Sequence, residues 1–232
     1  MDWKIGILCA GDRELEPFLG CIQNASVVEK AMLRVHEGTV EGIPAAVLYS
    51  GVCKVNAAIA AQLLIDSFGV NAVINAGTAG GLDGKVGVFD TVICTQAAYH
   101  DVADDILTEF HPWMPSIYFN ADAALLELSR KAVERGGYRH KVHFGKMVTG
   151  ERFIEDSMRV DILAKYAPLS VDMETASVAH VCYVNGVPFI AVRTVTDTAE
   201  HSGLEIFEEH CDKAAGIARD VVIDIIKEMT ST

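Results

Sequence analysis

Basic side chains are scarce in this 232-residue sequence, which has 19 lysines and arginines against 32 aspartates and glutamates and a net charge of −13. So acidic a surface repels phosphate backbones and anionic lipids, and neither nucleic acid nor a membrane surface is an expected partner. No apolar run approaches the roughly 20 residues of a membrane helix, and the opening segment turns acidic too early for a secretory signal. We therefore expect a cytoplasmic protein.

Several short motifs are also missing. The six cysteines form no CxxC pair, and the sequence contains no HExxH, GxGxxG or GK[ST] motif. These absences argue against a disulfide framework, a zinc site, a dinucleotide and a nucleoside triphosphate. We expect reduced cysteines, no metal and no cofactor.

What the sequence has is half hydrophobic residues, in strand-like runs that alternate with segments of helical period. This alternation predicts an α/β fold in a single domain, residues 1–232, with a central mixed twisted β-sheet flanked by helices. Segment 100–120 has no clear period, and so long a loop is more often functional than idle. Strands are expected at 5–9, 32–39, 43–49, 70–75, 89–95, 141–148, 169–172 and 187–195, and helices at 53–68, 121–134, 153–166, 174–184 and 205–229.

Polar residues stand at or just beyond the ends of four predicted elements, where ligands bind in open α/β sheets: Glu14, Thr78, Glu174 and Asp197. Each has a plainer interpretation. Glu14 and Glu174 could be first-turn helix residues stabilised by the helix dipole, and Asp197 could be an N-cap. The segment 77–81, Gly-Thr-Ala-Gly-Gly, is expected to be a loop whose amides approach a ligand closely, or a plain turn.

Several blocks of sequence occur in the order and near the spacing of one known family. The chain resembles 5′-methylthioadenosine/S-adenosylhomocysteine nucleosidases, which have a nucleoside phosphorylase-like fold. The resemblance implies hydrolysis of the N-glycosidic bond of a 5′-modified adenosine, a small-molecule nucleoside, giving adenine and a 5′-modified ribose. The blocks are residues 4–7 with Glu14, then 50–58, 75–81, 99–101, 153–154, 173–176 and 193–197.

The same resemblance implies the catalytic roles. Asp197 is the acid that protonates adenine N7, and Thr78 stands where the family has a serine that orients this acid. Glu14 activates the attacking water, Glu174 holds the ribose hydroxyls, and Arg193 orders the side of the site that holds Glu14.

Substrate contacts carry over in the same way. Phe153 is expected to stack on adenine, and the Ile154 backbone is expected to hydrogen-bond to the edge of the ring. Met173 is expected to lie beneath the ribose. Phe207 is a lid over the 5′ group, and Val52 is a further contact.

Departures from the family concern the 5′ group. Gly11 replaces a hydrophobic wall residue, which widens the site. A partner subunit is expected to lend Asp104, Leu107 and Pro115 to the 5′ pocket, which implies a homodimer and, through Asp104, a more polar or larger 5′ group. Glu151 replaces a commoner aspartate.

Three alternatives stay open. The first is a nucleosidase for another 5′-substituted adenosine, such as 5′-deoxyadenosine or aminodeoxyfutalosine. The second is a purine nucleoside phosphorylase, which requires cations to clamp phosphate. Asn75-Ala76 in place of an arginine argues against it, whereas Arg13 and Arg34 leave it open. The third is a purine-binding protein without catalysis.

Overall fold

A computed structural model describes residues 2–154, 156–199 and 203–230 of the chain. Strands and helices alternate along the sequence as the hydrophobic pattern predicts. The strands are β1 (Ile5–Cys9), β2 (Gln23–Lys30), β3 (Leu33–Val40), β4 (Ile43–Tyr49), β5 (Ala72–Gly81), β6 (Thr91–Tyr99), β7 (Phe119–Asn120), β8 (Val142–Thr149), β9 (Ser170–Asp172) and β10 (Phe189–Asp197). The helices are α1 (Asp12–Leu19), α2 (Lys54–Phe68), α3 (Asp104–Glu109), α4 (Ala123–Gly136), α5 (Asp156–Tyr166), α6 (Thr175–Asn185) and α7 (Leu204–Thr230).

All ten strands belong to one mixed sheet, which confirms the predicted α/β class. Its main path runs β10-β6-β8-β9-β5-β1-β4-β3-β2, with β7 paired to β6. Strand β10 also pairs with β5 in parallel, so five strands close into a ring: β10, β6, β8, β9 and β5. The ends of β9 and β10 therefore lie on either side of the end of β5.

Helices cover both faces of the sheet. Alternation along β1 sends Leu8 into the core beneath α2 and α6, while Ile7 joins the core formed with α1, α4 and α7. Alanines at positions 57, 60 and 61 let α2 approach the sheet closely. Even the longest helix, α7, lacks the apolar run that a membrane span needs, as do the other helices of the described residues.

The glycine-rich segment 77–81 is not a loop, contrary to expectation, but the second half of β5. It stays extended because β10 pairs alongside it as far as Gly80, while β9 pairs with Gly80 and Gly81 on the other side. Backbone pairing on both sides overrides the weak strand propensity of glycine.

Two further regions differ from the predictions. Strand β2 was not expected, because its sequence does not alternate; it is an exposed strand at the edge of the sheet, paired with β3. Segment 100–120 is not wholly irregular, since it contains α3 and the short strand β7.

Candidate active site

One cavity of about 400 Å³ opens where β5, β9 and β10 end, between α1, α5 and α7. Every residue predicted for this chain's own site lines it except Arg193, which lies buried beneath it. The predicted residues on its wall are Gly11, Glu14, Val52, Thr78, Phe153, Ile154, Met173, Glu174, Asp197 and Phe207.

Glu14 lies in the first turn of α1 and is only 5% exposed. Its Oε1 accepts the backbone N–H of Thr78 at 2.7 Å and the Thr78 hydroxyl at 2.8 Å. Its Oε2 accepts the N–H of Ala10 at 2.7 Å. The plainer interpretation is thus correct about the place of Glu14 in the helix. Contacts to β5 also fix its carboxylate at the cavity wall. The carboxylate oxygens are the acceptors in all of these hydrogen bonds.

Arg193 is fully buried in β10 and joins the acidic side chains of the site. Its guanidinium lies 3.6 Å from Glu14 Oε1, 3.3 Å from Asp172 Oδ2 and 3.3 Å from Glu174 Oε2. It also donates to the side-chain oxygen of Asn75 at 2.9 Å. Burial acts to lower the pKa of Arg193, but the three carboxylates outweigh it and the pKa is raised. The cation therefore orders more than the Glu14 side of the site.

Glu174 lies at the junction of β9 and α6, where its side chain does not cap the helix. Oε1 accepts the backbone N–H of Cys53 at 2.8 Å. Cys53 adopts a φ of +84° at the start of α2, a conformation that side chains rarely take and that is common at functional sites. Burial, with Asp172 and Glu14 nearby, raises the pKa of Glu174 to about 7 against the pull of Arg193.

Asp197 is the last residue of β10 and is not an N-cap, since the next helix begins at Leu204. The pairing of β10 with β5 skips from Val195 to Asp197, so Thr196 is an extra residue in the ladder. Bulges of this kind redirect side chains near active sites. Burial raises the pKa of Asp197, although the Thr196 hydroxyl, Arg159 and His210 act to lower it.

The resemblance implied that Thr78 orients Asp197, but the structure shows a different partner for Thr78. Its hydroxyl donates to Glu14, and Asp197 instead accepts the hydroxyl of Thr196 at 2.9 Å on Oδ1. Arg159 lies 3.6 Å from Oδ2 of the same carboxyl group. The direction of β5 places the Thr78 side chain toward α1, away from the end of β10.

Apolar side chains form the rest of the cavity wall. Phe153 is 42% exposed beside the buried Ile154, and Phe207 faces the cavity from the first turns of α7. At Gly11 an added Cβ would meet nothing within 4 Å, so there is open space beside this residue.

The residues expected to serve a partner's 5′ pocket do not line this cavity. Asp104 pairs with Lys165 at 2.7 Å, and Leu107 is buried in its own chain's core. Because Leu107 is only 7% exposed, it has little surface to offer a partner. Its neighbours Ile106, Phe110 and Trp113 are well exposed in the same segment.

Three residues of the site were missed by sequence reasoning. Asp172 ends β9 and was available to the same strand-end argument as Glu174. Asn75 sits inside a buried strand, and a polar residue in such a run was a usable signal. Arg159 lies in a segment of weak helical character that carries no signal in the sequence.

The residues that sequence analysis left open now have contacts. Arg13 is bound by Glu208 at 2.5 Å and Asp212 at 2.6 Å, both on α7. Arg34 pairs with Glu29 on the exposed hairpin. The Glu151 carboxylate accepts the backbone N–H of Lys54 at 3.3 Å.

All six cysteines are free thiols. Across residues 2–154, 156–199 and 203–230, no three His, Cys, Asp or Glu side chains are grouped so that they could hold a metal ion.

Comparison with known proteins agrees with this geometry. Residues 4–227 match the family model of the phosphorylase superfamily. A 5′-methylthioadenosine/S-adenosylhomocysteine nucleosidase from Exiguobacterium is 35% identical, over 97% of this chain and 98% of its own.

Two solved structures are also similar. A nucleosidase of the same name from Colwellia psychrerythraea, in complex with adenine, has a TM-score of 0.89 and 29% identity, covering 98% of this chain and 96% of its own. Futalosine hydrolase from Helicobacter pylori has a TM-score of 0.89 and 26% identity, covering 98% and 99%. The chain therefore belongs to the phosphorylase superfamily and, within it, to the 5′-methylthioadenosine/S-adenosylhomocysteine nucleosidases, and it is an N-glycosidic hydrolase.

Proposed function

We propose that the enzyme hydrolyses the N-glycosidic bond of 5′-methylthioadenosine or S-adenosylhomocysteine, releasing adenine and the 5′-modified ribose. One observation carries the proposal: three carboxyl groups, of Glu14, Glu174 and Asp197, line the same cavity in three different settings. Glycoside cleavage through a ribosyl cation needs an acid for the leaving group and a base for the water. A third carboxylate stabilises the positive sugar.

Asp197 is the acid. Its carboxyl is buried at the end of β10, and burial favours the neutral form that can donate a proton. Protonation at N7 lets adenine leave as a neutral molecule instead of an anion. The apolar walls around Phe153 and Ile154 suit a purine ring, with Phe153 against its face and the Ile154 backbone at its edge.

Glu14 is the base that orients and deprotonates water. The amide and hydroxyl of Thr78 fix one of its oxygens, and the Ala10 amide binds the other. A carboxylate held this firmly keeps a water in one attack direction. Glu174, with Met173 beside it, binds the ribose hydroxyls and carries negative charge near the sugar ring.

Water, and not phosphate, is the nucleophile. Phosphate needs cationic side chains to hold it. Two arginines that line the cavity are engaged: Arg13 by Glu208 and Asp212, and Arg159 by the carbonyl oxygen of Gly81 and by Asp197. Arg34 lies away on the exposed hairpin. The carboxylate of Glu14 on the same wall repels a phosphate anion.

The test is adenine release from 5′-methylthioadenosine by the purified enzyme, in phosphate-free buffer and again with phosphate. Equal rates, with free 5-methylthioribose as the second product, are expected. A rate that depends on phosphate, with 5-methylthioribose 1-phosphate as product, would contradict hydrolysis. No release in either buffer would contradict the proposed substrate.

A larger 5′ group is the second candidate, favoured by the open wall at Gly11 and by likeness to futalosine hydrolase. Rates on adenosines that carry hydrogen, methylthio, homocysteinyl and futalosine-type 5′ groups decide between them. A clear preference for methylthio would exclude this candidate.

A homodimer completes the 5′ pocket in our proposal. Ile106, Phe110 and Trp113 are exposed apolar side chains next to Asp104 and Pro115, and clustered exposure of this kind marks interfaces. Light scattering that finds a fully active monomer would contradict it.

A further inference from the structure

Arg159 is a buried cation beside the proposed acid. It lies on α5, is 4% exposed, and donates through Nη1 to the carbonyl oxygen of Gly81 at 2.6 Å. Its Nη2 is 3.6 Å from Oδ2 of Asp197. Taking a guanidinium out of water is costly unless polar partners offset the cost, and the Gly81 carbonyl oxygen and Asp197 are two of the partners of Arg159. We propose that Arg159 is a positioning residue. It stabilises the negative charge that develops on Asp197 when Asp197 gives its proton to the purine.

The two oxygens of the Asp197 carboxyl have different neighbours. Oδ1 accepts the hydroxyl of Thr196 at 2.9 Å, so it acts as an acceptor. Oδ2 faces Arg159, at a distance slightly longer than a hydrogen bond. This spacing leaves room for a proton on Oδ2 in the resting enzyme. It also places the guanidinium close enough to form an ion pair once the proton has left.

Other groups around Asp197 do not replace Arg159. His210 on α7 has its Nδ1 2.7 Å from the carbonyl oxygen of Thr196, and its charge, when present, acts in the same direction. Strand β5 faces Asp197 through Gly80 and Gly81, which carry no charged side chain. Among the side chains that the structure describes on α5, β5, β10 and α7, Arg159 is therefore the permanent positive charge that acts on this carboxyl.

The step rests on the proposed function. The O–H bond of Asp197 breaks and its proton bonds to N7, while the electron pair of the C1′–N9 bond moves into the purine. Water bonds to C1′ through oxygen and gives one proton to Glu14. The products are neutral adenine and the sugar, with Asp197 ionised and Glu14 protonated; solvent exchange restores both.

Arg159 assists because its attraction is stronger late in this step than at its start. Before proton transfer it faces a neutral carboxyl, and afterwards it faces a carboxylate. An interaction that grows toward the transition state raises the rate of the chemical step. The same charge has a side effect: it makes Asp197 lose its proton at a lower pH than burial alone would set.

The experiment compares wild type, R159K and R159Q by the pH profile of kcat/KM for adenine release. Activity falls at alkaline pH when Asp197 has lost its proton, so removing the neighbouring cation moves that limb to higher pH. R159Q is expected to move it furthest while lowering the maximal rate about 10- to 100-fold. Lysine keeps the charge but is shorter, and R159K should fall between R159Q and wild type in both respects.

The control is K165Q, which removes a cation from the exposed side of the same helix and should leave the profile unchanged. A folding defect alone lowers the rate without moving the limb, and thermal melting identifies it. If R159Q does not fold, the intermediate shift in R159K still decides. An unmoved limb in a folded variant of an active enzyme would overturn the role of Arg159 alone. Wild type without adenine release would instead overturn the proposed function and this role with it.

Discussion

The carboxylate of Glu14 occupies the space where a side chain on Gly77 would begin. An ideal Cβ on Gly77 would fall well inside contact distance of all three carboxylate atoms of Glu14, and Gly77 also has a φ of +153°. Glu14 can therefore occupy its position only because residue 77, in the middle of β5, has no side chain. This explains why a glycine interrupts a strand that is otherwise buried and paired on both sides.

Replacement of Gly77 by alanine is predicted to displace Glu14 and to lower kcat for adenine release by about 100-fold or more, the scale of a lost general base. G84A is the matched control, because a Cβ there meets nothing within 4 Å and the change should leave kcat unaltered. Steady-state kinetics on both variants checks this. Normal kcat in G77A would show that Glu14 is not the base or can act from elsewhere.

Arg193 is predicted to be essential for stability as well as for the site. Replacing it by methionine leaves Glu14, Asp172 and Glu174 buried without their shared cation. Breaking such a buried pair costs about 3–5 kcal/mol in the free energy of unfolding. Urea unfolding measures it. The control R34M removes an exposed pair and should cost less than about 1 kcal/mol.

The pH dependence of turnover should report Glu174. With a pKa of about 7, its carboxyl is charged above this pH and neutral below it. The negative charge stabilises the ribosyl cation, so the rate should fall as pH drops through about 7. E174Q is predicted to be slower and to lack this acidic limb, whereas E127Q, on the exposed face of α4, keeps it. The same midpoint in E174Q would assign the limb to another group.

Gly11 should control the choice of 5′ group. A Cβ at this position would meet nothing within 4 Å, so we expect a methionine side chain to extend into the open space and narrow the 5′ pocket. G11M is predicted to lower kcat/KM for a large 5′ group relative to methylthio by about 10- to 100-fold, the usual worth of a steric change in a pocket. Competition between two substrates in one reaction measures the ratio directly. An unchanged ratio would place the 5′ group elsewhere.

Sequence reasoning located most of the fold because buried strands and helical stripes leave a periodic signal. Strands β1, β4 and β10 and the helix α2 could be recognised from such runs. Strand β2 could not, since it is exposed along its whole length and no burial shapes its sequence. The glycines of β5 misled for a related reason: pairing with β10 and β9, remote in sequence, keeps them extended.

The candidate site was predictable in its members but not in its contacts. Glu14, Glu174 and Asp197 stand beside the ends of predicted strands. Because open α/β sheets bind ligands at strand ends, this position predicts that the three side chains lie in one crevice. The predicted hydrogen-bond partner of Thr78 was wrong, because the direction of each side chain along β5 depends on a strand register that the sequence does not reveal. Arg159 gave no signal at all, since its role depends on a helix packing against the far ends of two strands.

Adenine release from 5′-methylthioadenosine, measured side by side for wild type, E14Q, D197N and the exposed control E16Q, tests the central claim most directly. We predict that wild type and E16Q release adenine at equal rates in phosphate-free buffer. E14Q and D197N should be slower by about 100- to 10,000-fold while melting as folded proteins. Release at the wild-type rate by either variant would contradict the assignment of acid and base on which the account depends.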